Sequence, residues 1–291
     1  MSRSPAGRVA RSTVRPHSET GGCAPLRTFL TTADGIPLDS VYEPGEAVYE
    51  TADSADSADS ADAARPAASR PVFVVAHGFT GDVDRPHLRR AAAVLARRGA
   101  VVTFSFRGHG RSGGRSTIGD REVLDLAAAV AWARSLGHTR VVTVGFSMGG
   151  SVVLRHAALP GEAVDAVVSV SAPARWYYRG TAPMRRLHWL VTRPAGRLVG
   201  RYGFRTRIHH REWNPVPPSP VESVPGIAPT PLLIVHGDRD AYFPLDHPRM
   251  LAEASDGHGE LWLEHGMGHA ENAADDGLLA RIADWAVARA G

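Results

Sequence analysis

Five short apolar runs constrain this chain more than any other feature: Val72–Ala76, Ala100–Phe104, Val141–Val144, Ala166–Val170 and Leu232–Val235. They are rich in Val and do not alternate with polar residues. A strand with one wet face alternates. A run that does not alternate needs cover on both faces, which is the condition of a strand inside a parallel sheet. Segments with helical spacing separate the runs. Leu88–Arg98 is one; in another, Val123, Leu126, Ala127, Val130 and Ala131 fall at i, i+3, i+4, i+7 and i+8. Leu261–Leu263 reads as a late strand and Leu278–Ala288 as a closing helix. Alternating β and α elements predict an α/β fold, a mostly parallel, doubly wound sheet with right-handed crossovers.

The remaining chain organises around that frame. Residues 1–25 are polar and aperiodic and read as a tail. Phe29–Thr32 and Ser40–Tyr42 read as two short strands about the turn Ala33-Asp34-Gly35, opening the first part of the core at 26–173. Within it, residues 50–70 hold three copies of Ala-Asp-Ser, a period that suits no packed element, and read as a low-complexity surface insertion. Residues 174–230 break the β/α rhythm with an interval far longer than one crossover needs. It holds six Trp and Tyr residues and ends in a Pro-rich run, so it reads as a helical excursion over one edge of the sheet. Residues 231–291 complete the core.

At 43% hydrophobic and 22% charged residues, the 291-residue chain has the balance of a globular protein. The single cysteine, Cys23, excludes an internal disulfide and a Cys-based zinc site. No His pair at ligand spacing is backed by a carboxylate, so neither metal nor cofactor is expected. Apolar stretches such as Leu126–Ala133 are far shorter than the roughly 18 residues of a membrane span. No secretory leader is evident, and a cytoplasmic location is expected. All 33 basic residues are Arg, and the net charge is +3. No nucleic-acid motif accompanies them, so a compositional bias is preferred to a nucleic-acid partner.

Chemistry concentrates at Gly145-Phe146-Ser147-Met148-Gly149-Gly150, directly after the run Val141–Val144. In a strand–turn–helix setting, Gly-x-Ser-x-Gly raises a serine hydroxyl over a helix N-terminus. Such a serine needs a base, and the base a carboxylate. Among 14 His, position selects His269, after the late strand, and Asp240, after the run Leu232–Val235. The competing choices are His265 and Asp238. For the oxyanion, the amides of Phe79, in His77-Gly78-Phe79, and of Met148 are the candidate donors. His77, Arg175, Trp176 and Tyr177 are the candidate pocket residues, with a structural hydrogen bond the preferred alternative for His77.

His77-Gly78-Phe79, Arg107-Gly108-His109-Gly110-Arg111-Ser112, the Gly145–Gly150 motif, Asp240 and His269 together resemble the α/β-hydrolase superfamily. The Arg-Gly-His-Gly-Arg-Ser and Ser-Met-Gly-Gly pairing is similar to its serine aminopeptidase and monoacylglycerol-lipase-like branch. The resemblance covers residues 71–291. It implies an α/β-hydrolase fold, a catalytic Ser147, Asp240 and His269, an oxyanion hole at Phe79 and Met148, and a lid at 174–230. It further implies a serine hydrolase acting on an ester, thioester or amide of a small-to-medium acyl group. The alternatives are an acyltransferase or perhydrolase with the same triad, or a non-catalytic ligand-binding member of the fold. Relatives usually carry Asp where this chain has Ser105, which concerns the local turn and not the triad.

Overall fold

The computed structural model describes residues 24–45 and 70–290. Most of the expected tail, with Cys23, and nearly all of the 50–70 insertion lie outside the described residues. The chain opens with an antiparallel hairpin, β1 (Leu26–Thr31) and β2 (Pro37–Glu43), a little longer than its sequence pattern. β3 (Val72–Ala76), β4 (Ala100–Phe104) and β6 (Ala166–Val170) coincide with their apolar runs. β5 (Val141–Phe146) and β7 (Leu232–Gly237) each continue two residues beyond theirs, towards the site residues. β8 (Gly259–Glu264) closes one edge.

The eight strands form one sheet in the order β1-β2-β4-β3-β5-β6-β7-β8, antiparallel at the first two junctions and parallel thereafter. The winding direction reverses between β3 and β5. Loops leaving these neighbours diverge, and a crevice opens at their carboxyl ends, where α/β sheets place ligands. Both faces are covered. Phe73, Val75, Val142 and Val144 pack against α1 (Pro86–Leu95) and α9 (Asp276–Arg289). Val72, Val74, Ala76 and Val102 pack against α2 (Glu122–Ser135) and α3 (Met148–Ala157). The non-alternating Val runs thus have the two apolar layers that they require.

One helix differs from its sequence pattern. In α2, Ala127 is only half-buried and Ala131 is exposed, while Glu122, Asp125, Ala129 and Ala133 are buried. The buried stripe is turned by its carboxylates. Asp125 accepts from the Arg107 backbone amide and Nε, both at 2.8 Å, and Glu122 accepts from the amides of Thr117, Ile118 and Gly119. An apolar-periodicity reading gives such residues to solvent; here they order the loop after β4.

Between β6 and β7 lie α4 (Ala182–Thr192), α5 (Pro194–Gly203) and the single turn α6 (Pro220–Ser223). The Thr181 hydroxyl caps α4, and a Ser219/Glu222 capping box starts α6. α5 turns Gly196 and Gly200 inward and leaves Leu198, Val199 and Tyr202 exposed. The chain then returns extended across the loop after β4, with bridges from Thr206 to His109 and from Ile208 to Ser116. α7 (Asp246–Ala254) and α8 (Ala270–Ala273) complete the fold. Among the described residues, no helix is long and apolar enough to cross a membrane.

Candidate active site

Ser147 sits between β5 and α3 with φ 51° and ψ −111°, a conformation that costs a non-glycine residue on the order of 1–3 kcal/mol. Two glycines permit it. A Cβ on Gly145 would stand 2.2 Å from the Gly149 carbonyl oxygen, and one on Gly149 2.2 Å from that of Ala76. Helix and strand can meet this closely only because both positions lack a side chain. The turn is held from the neighbouring strand, whose Val170 carbonyl accepts from the Ser147 amide at 2.8 Å.

Three residues from three loops converge here. Ser147 Oγ lies 2.9 Å from His269 Nε2, and His269 Nδ1 lies 2.7 Å from Asp240 Oδ2. With Nδ1–H donating to the carboxylate, Nε2 is left to accept the serine proton. The Asp240 side chain is wholly buried, whereas the His269 ring is 15% exposed. Burial alone would raise the Asp240 pKa. The His269 hydrogen bond and charge, and the amides of Tyr242 and Phe243 on Oδ1, outweigh it and hold the carboxyl below the usual carboxylate range. The Tyr242 ring stacks on His269 with centroids 4.3 Å apart. Buried His236, which lies 3.6 Å from Asp240, reaches the Phe243 carbonyl at 2.9 Å and ties down the same turn.

The competing sequence choices pair with each other elsewhere. His265 Nδ1 lies 2.7 Å from Asp238 Oδ2 on a ring that is 90% exposed, and Asp238 Oδ1 accepts from the Gly266 amide. This pair fastens the turn after β8 and does not touch Ser147.

The backbone amides of Phe79 and Met148 lie in the loops leaving β3 and β5, on either side of the reversal in winding. Neither makes a hydrogen bond among the described residues. Glu271 was not singled out by the sequence reading. It accepts from the Gly78 amide at 3.0 Å. A Cβ on Gly78 would meet both of its carboxylate oxygens, at 3.2 and 3.3 Å, and the Ser147 Cβ at 3.5 Å. The carboxylate therefore borders the nucleophile and fixes the loop that carries Phe79. Its sequence signal is only an acid two residues after His269.

A cavity of about 390 Å³ opens onto Ser147, and Phe79, Arg175, Trp176 and Tyr177 are among its walls. His77, a pocket candidate, is absent from the lining and takes the structural alternative. It is wholly buried, its Nε2 accepts from the Phe106 amide at 3.0 Å, and its Nδ1 lies 2.7 Å from the Gly78 carbonyl. Burial, with the nearby His109, pushes its pKa down to about 3, so the ring is a neutral brace under the loop. Ser105 is likewise structural. Its hydroxyl accepts from the Val83 amide and its carbonyl from Ser112 Oγ, while Arg107 takes Asp34 and Asp125 instead. Across the cavity, Trp176 Nε1 donates to the Pro217 carbonyl and Trp213 Nε1 to that of Thr117.

Residues 71–185 match the family described as alpha/beta hydrolase fold. A monoacylglycerol lipase of Mycolicibacterium smegmatis is 28% identical over 226 residues, 63% of this chain and 75% of that protein. An esterase of Pyrococcus furiosus superposes with a TM-score of 0.67 at 20% identity, covering 92% of this chain and 94% of the other. A serine hydrolase without lid from Xanthomonas campestris gives 0.59 at 19% identity, covering 94% and 97%. The sheet order, the reversal in winding between β3 and β5, and these likenesses agree that the chain has the α/β-hydrolase fold.

Proposed function

We propose that the protein is a serine hydrolase that cleaves an ester, thioester or amide of a small-to-medium acyl group, with carboxylic esters the foremost substrates. The observation that carries this reading is the hydrogen-bonded chain from Ser147 through His269 to buried Asp240. His269 Nε2 takes the Ser147 proton as Oγ bonds to the substrate carbonyl carbon. The amides of Phe79 and Met148 receive the developing oxyanion, and Asp240 stabilises the imidazolium. As the tetrahedral species collapses, the carbonyl–leaving-group bond breaks and His269 returns the proton to the leaving group. Water then attacks the acyl-enzyme by the same route and restores Ser147.

Residues 174–230 act as the lid, whose aromatic residues give the acyl group an apolar wall. The monoacylglycerol lipase relative supports a place in the lipase-like branch and ester chemistry. A fluorophosphonate probe tests the reading. Intact protein should be labelled at one site and Ser147→Ala should not. An intact protein that resists the probe, or a Ser147→Ala variant labelled equally well, refutes it. Nitrophenyl esters of increasing chain length, compared with aminoacyl amides, then grade acyl size and bond type.

A further inference from the structure

The cavity over Ser147 is mostly apolar, yet its walls carry cations that lack counter-ions. Residues 174–230 hold ten Arg against two Glu and no Asp. Glu222 is engaged in the cap of α6, accepting from the Ser219 amide and hydroxyl. Glu212 is itself in the cavity lining, next to Arg211, but forms no ion pair among the described residues. Four of the arginines line the cavity: Arg175, Arg179, Arg197 and Arg211. Only Arg175 has a carboxylate, Asp246 at 2.9 Å. Arg179 Nε faces His188 Nδ1 at 3.3 Å, and Arg197 Nη1 donates to the Thr192 carbonyl at 2.9 Å. The Arg211 guanidinium meets no partner among the described residues.

Several arginines outside the insertion are paired, although buried Arg155 bonds only to the Gly119 and Asp120 carbonyls. Arg27, Arg90, Arg98, Arg107, Arg281 and Arg289 each reach a carboxylate at 2.5 to 2.8 Å. A compositional bias towards Arg accounts for the number of guanidinium groups. Around the cavity that holds the nucleophile, three of them stand without an ion-pair partner among the described residues. The excess of positive charge also registers on neighbouring rings. Burial and Arg179 lower the proton affinity of His188, and burial, His209 and Arg211 lower that of His210.

We propose that the substrate is an acyl ester bearing an anionic group, a carboxylate or a phosphate, gripped by Arg179 and Arg211. This rests on the serine-hydrolase reading and names its substrate class. A guanidinium presents a planar fork of donors matched to either anion. A cleft whose charged lining is four Arg against the single Glu212 also concentrates anionic ligands near the nucleophile. Arg197 adds to that field from the base of α5.

The test compares 4-nitrophenyl glutarate, whose acyl chain ends in a carboxylate, with neutral 4-nitrophenyl hexanoate. A second pair, a monoacylglycerol and its phosphorylated counterpart, places the anion on the leaving-group side. One charged member should exceed its neutral partner about tenfold in kcat/KM, mainly through KM, and the advantage should shrink with added salt. The pair that shows it identifies the side on which the anion sits. Arg179→Gln and Arg211→Gln should lower kcat/KM for that charged ester at least fivefold more than for its neutral partner. Arg186→Gln, which lies outside the cavity lining, should change neither. Equal or better turnover of the neutral ester in both pairs overturns the proposal, as do Arg179→Gln and Arg211→Gln variants that slow charged and neutral esters alike. In both cases a labelled Ser147 leaves the hydrolase reading standing. Failure of the fluorophosphonate to label the protein, with no turnover of any ester, overturns both.

Discussion

The carboxyl edge of the sheet and the insertion above it are built on opposite plans. At the edge, polar groups are bonded into chains. Ser147, His269 and Asp240 form one, and Gly78 with Glu271 another. Backbone there approaches backbone so closely that Gly145 and Gly149 admit no side chain. In the insertion, every arginine except Arg175 lacks an ion-pair partner among the described residues, and Trp189, Leu198 and Tyr202 stand exposed. The edge is over-determined and suits a fixed reaction. The insertion is loosely determined and suits a choice of ligand. Changes at the edge should therefore be severe, and comparable changes in the insertion slight.

Ser147→Ala should have the largest effect, lowering kcat on a nitrophenyl ester by about 10⁴-fold or more with the fold unchanged by circular dichroism. Activity within tenfold of the parent would dissolve the contrast. Gly149→Ala, whose new Cβ would meet the Ala76 carbonyl, should cost more than about 4 kcal/mol in urea unfolding or yield no soluble protein.

Acid should attack the edge as well. Burial, foremost among the causes, pushes His77 down to about 3 and His109 and His247 to about 4. In the unfolded chain each takes a proton near its ordinary value of about 6.5. The unfolded state therefore binds more protons in mild acid. Their contribution is whole above about pH 6.5 and is lost as the pH falls below it. Urea midpoints should show a loss of about 3 kcal/mol between pH 7 and pH 5.5. A flat profile would mean that these rings are not buried neutral.

Glu271→Ala should lower kcat about tenfold by freeing the Phe79 loop, with KM little changed. Glu271→Gln keeps an acceptor for the Gly78 amide and should recover most of the loss. Equal losses in both variants would make the charge, and not the hydrogen bond, the operative feature. Gly203→Ala at the end of α5, where an added Cβ would meet nothing nearer than 3.9 Å, should shift stability by about 0.5 kcal/mol or less.

What could be read from the sequence follows the same division. The Val runs mark their strands closely because a strand buried on both faces leaves an unbroken apolar signature. Ser147 and its elbow were legible because Gly-x-Ser-x-Gly directly follows one of those runs. Asp240 and His269 were legible because they follow strand ends. The structure brings these three together and sets His265 and Asp238 apart. Glu271 and the buried stripe of α2 escaped notice, since a carboxylate that binds backbone amides looks in sequence like any surface acid. His77 lies two residues from Phe79 yet faces away from the cavity, since neighbours in an irregular loop need not face the same way, and its structural hydrogen bond was the reading to prefer. Within 174–230, helical content was legible from length and aromatic residues. Which arginines face inward was not, because neither periodicity nor charge sets their direction.

The inward placement of Gly196 and Gly200 has a consequence for how the insertion keeps its shape. α5 rests its main chain almost directly on Leu190 and Ile208, since a Cβ at either glycine would meet one of these residues at 2.6 or 3.1 Å. The spacing of α5 against α4 and against the extended return is thus set by hydrogen atoms at these two positions. A Cβ at Gly200 would meet the flexible tip of Ile208 at 3.1 Å and the Thr206 carbonyl oxygen at 3.3 Å, whereas one at Gly196 would meet main chain at 2.5 Å. Enlargement at 200 would shift its neighbours by a few tenths of an ångström. The same enlargement at 196 would pry the two helices apart.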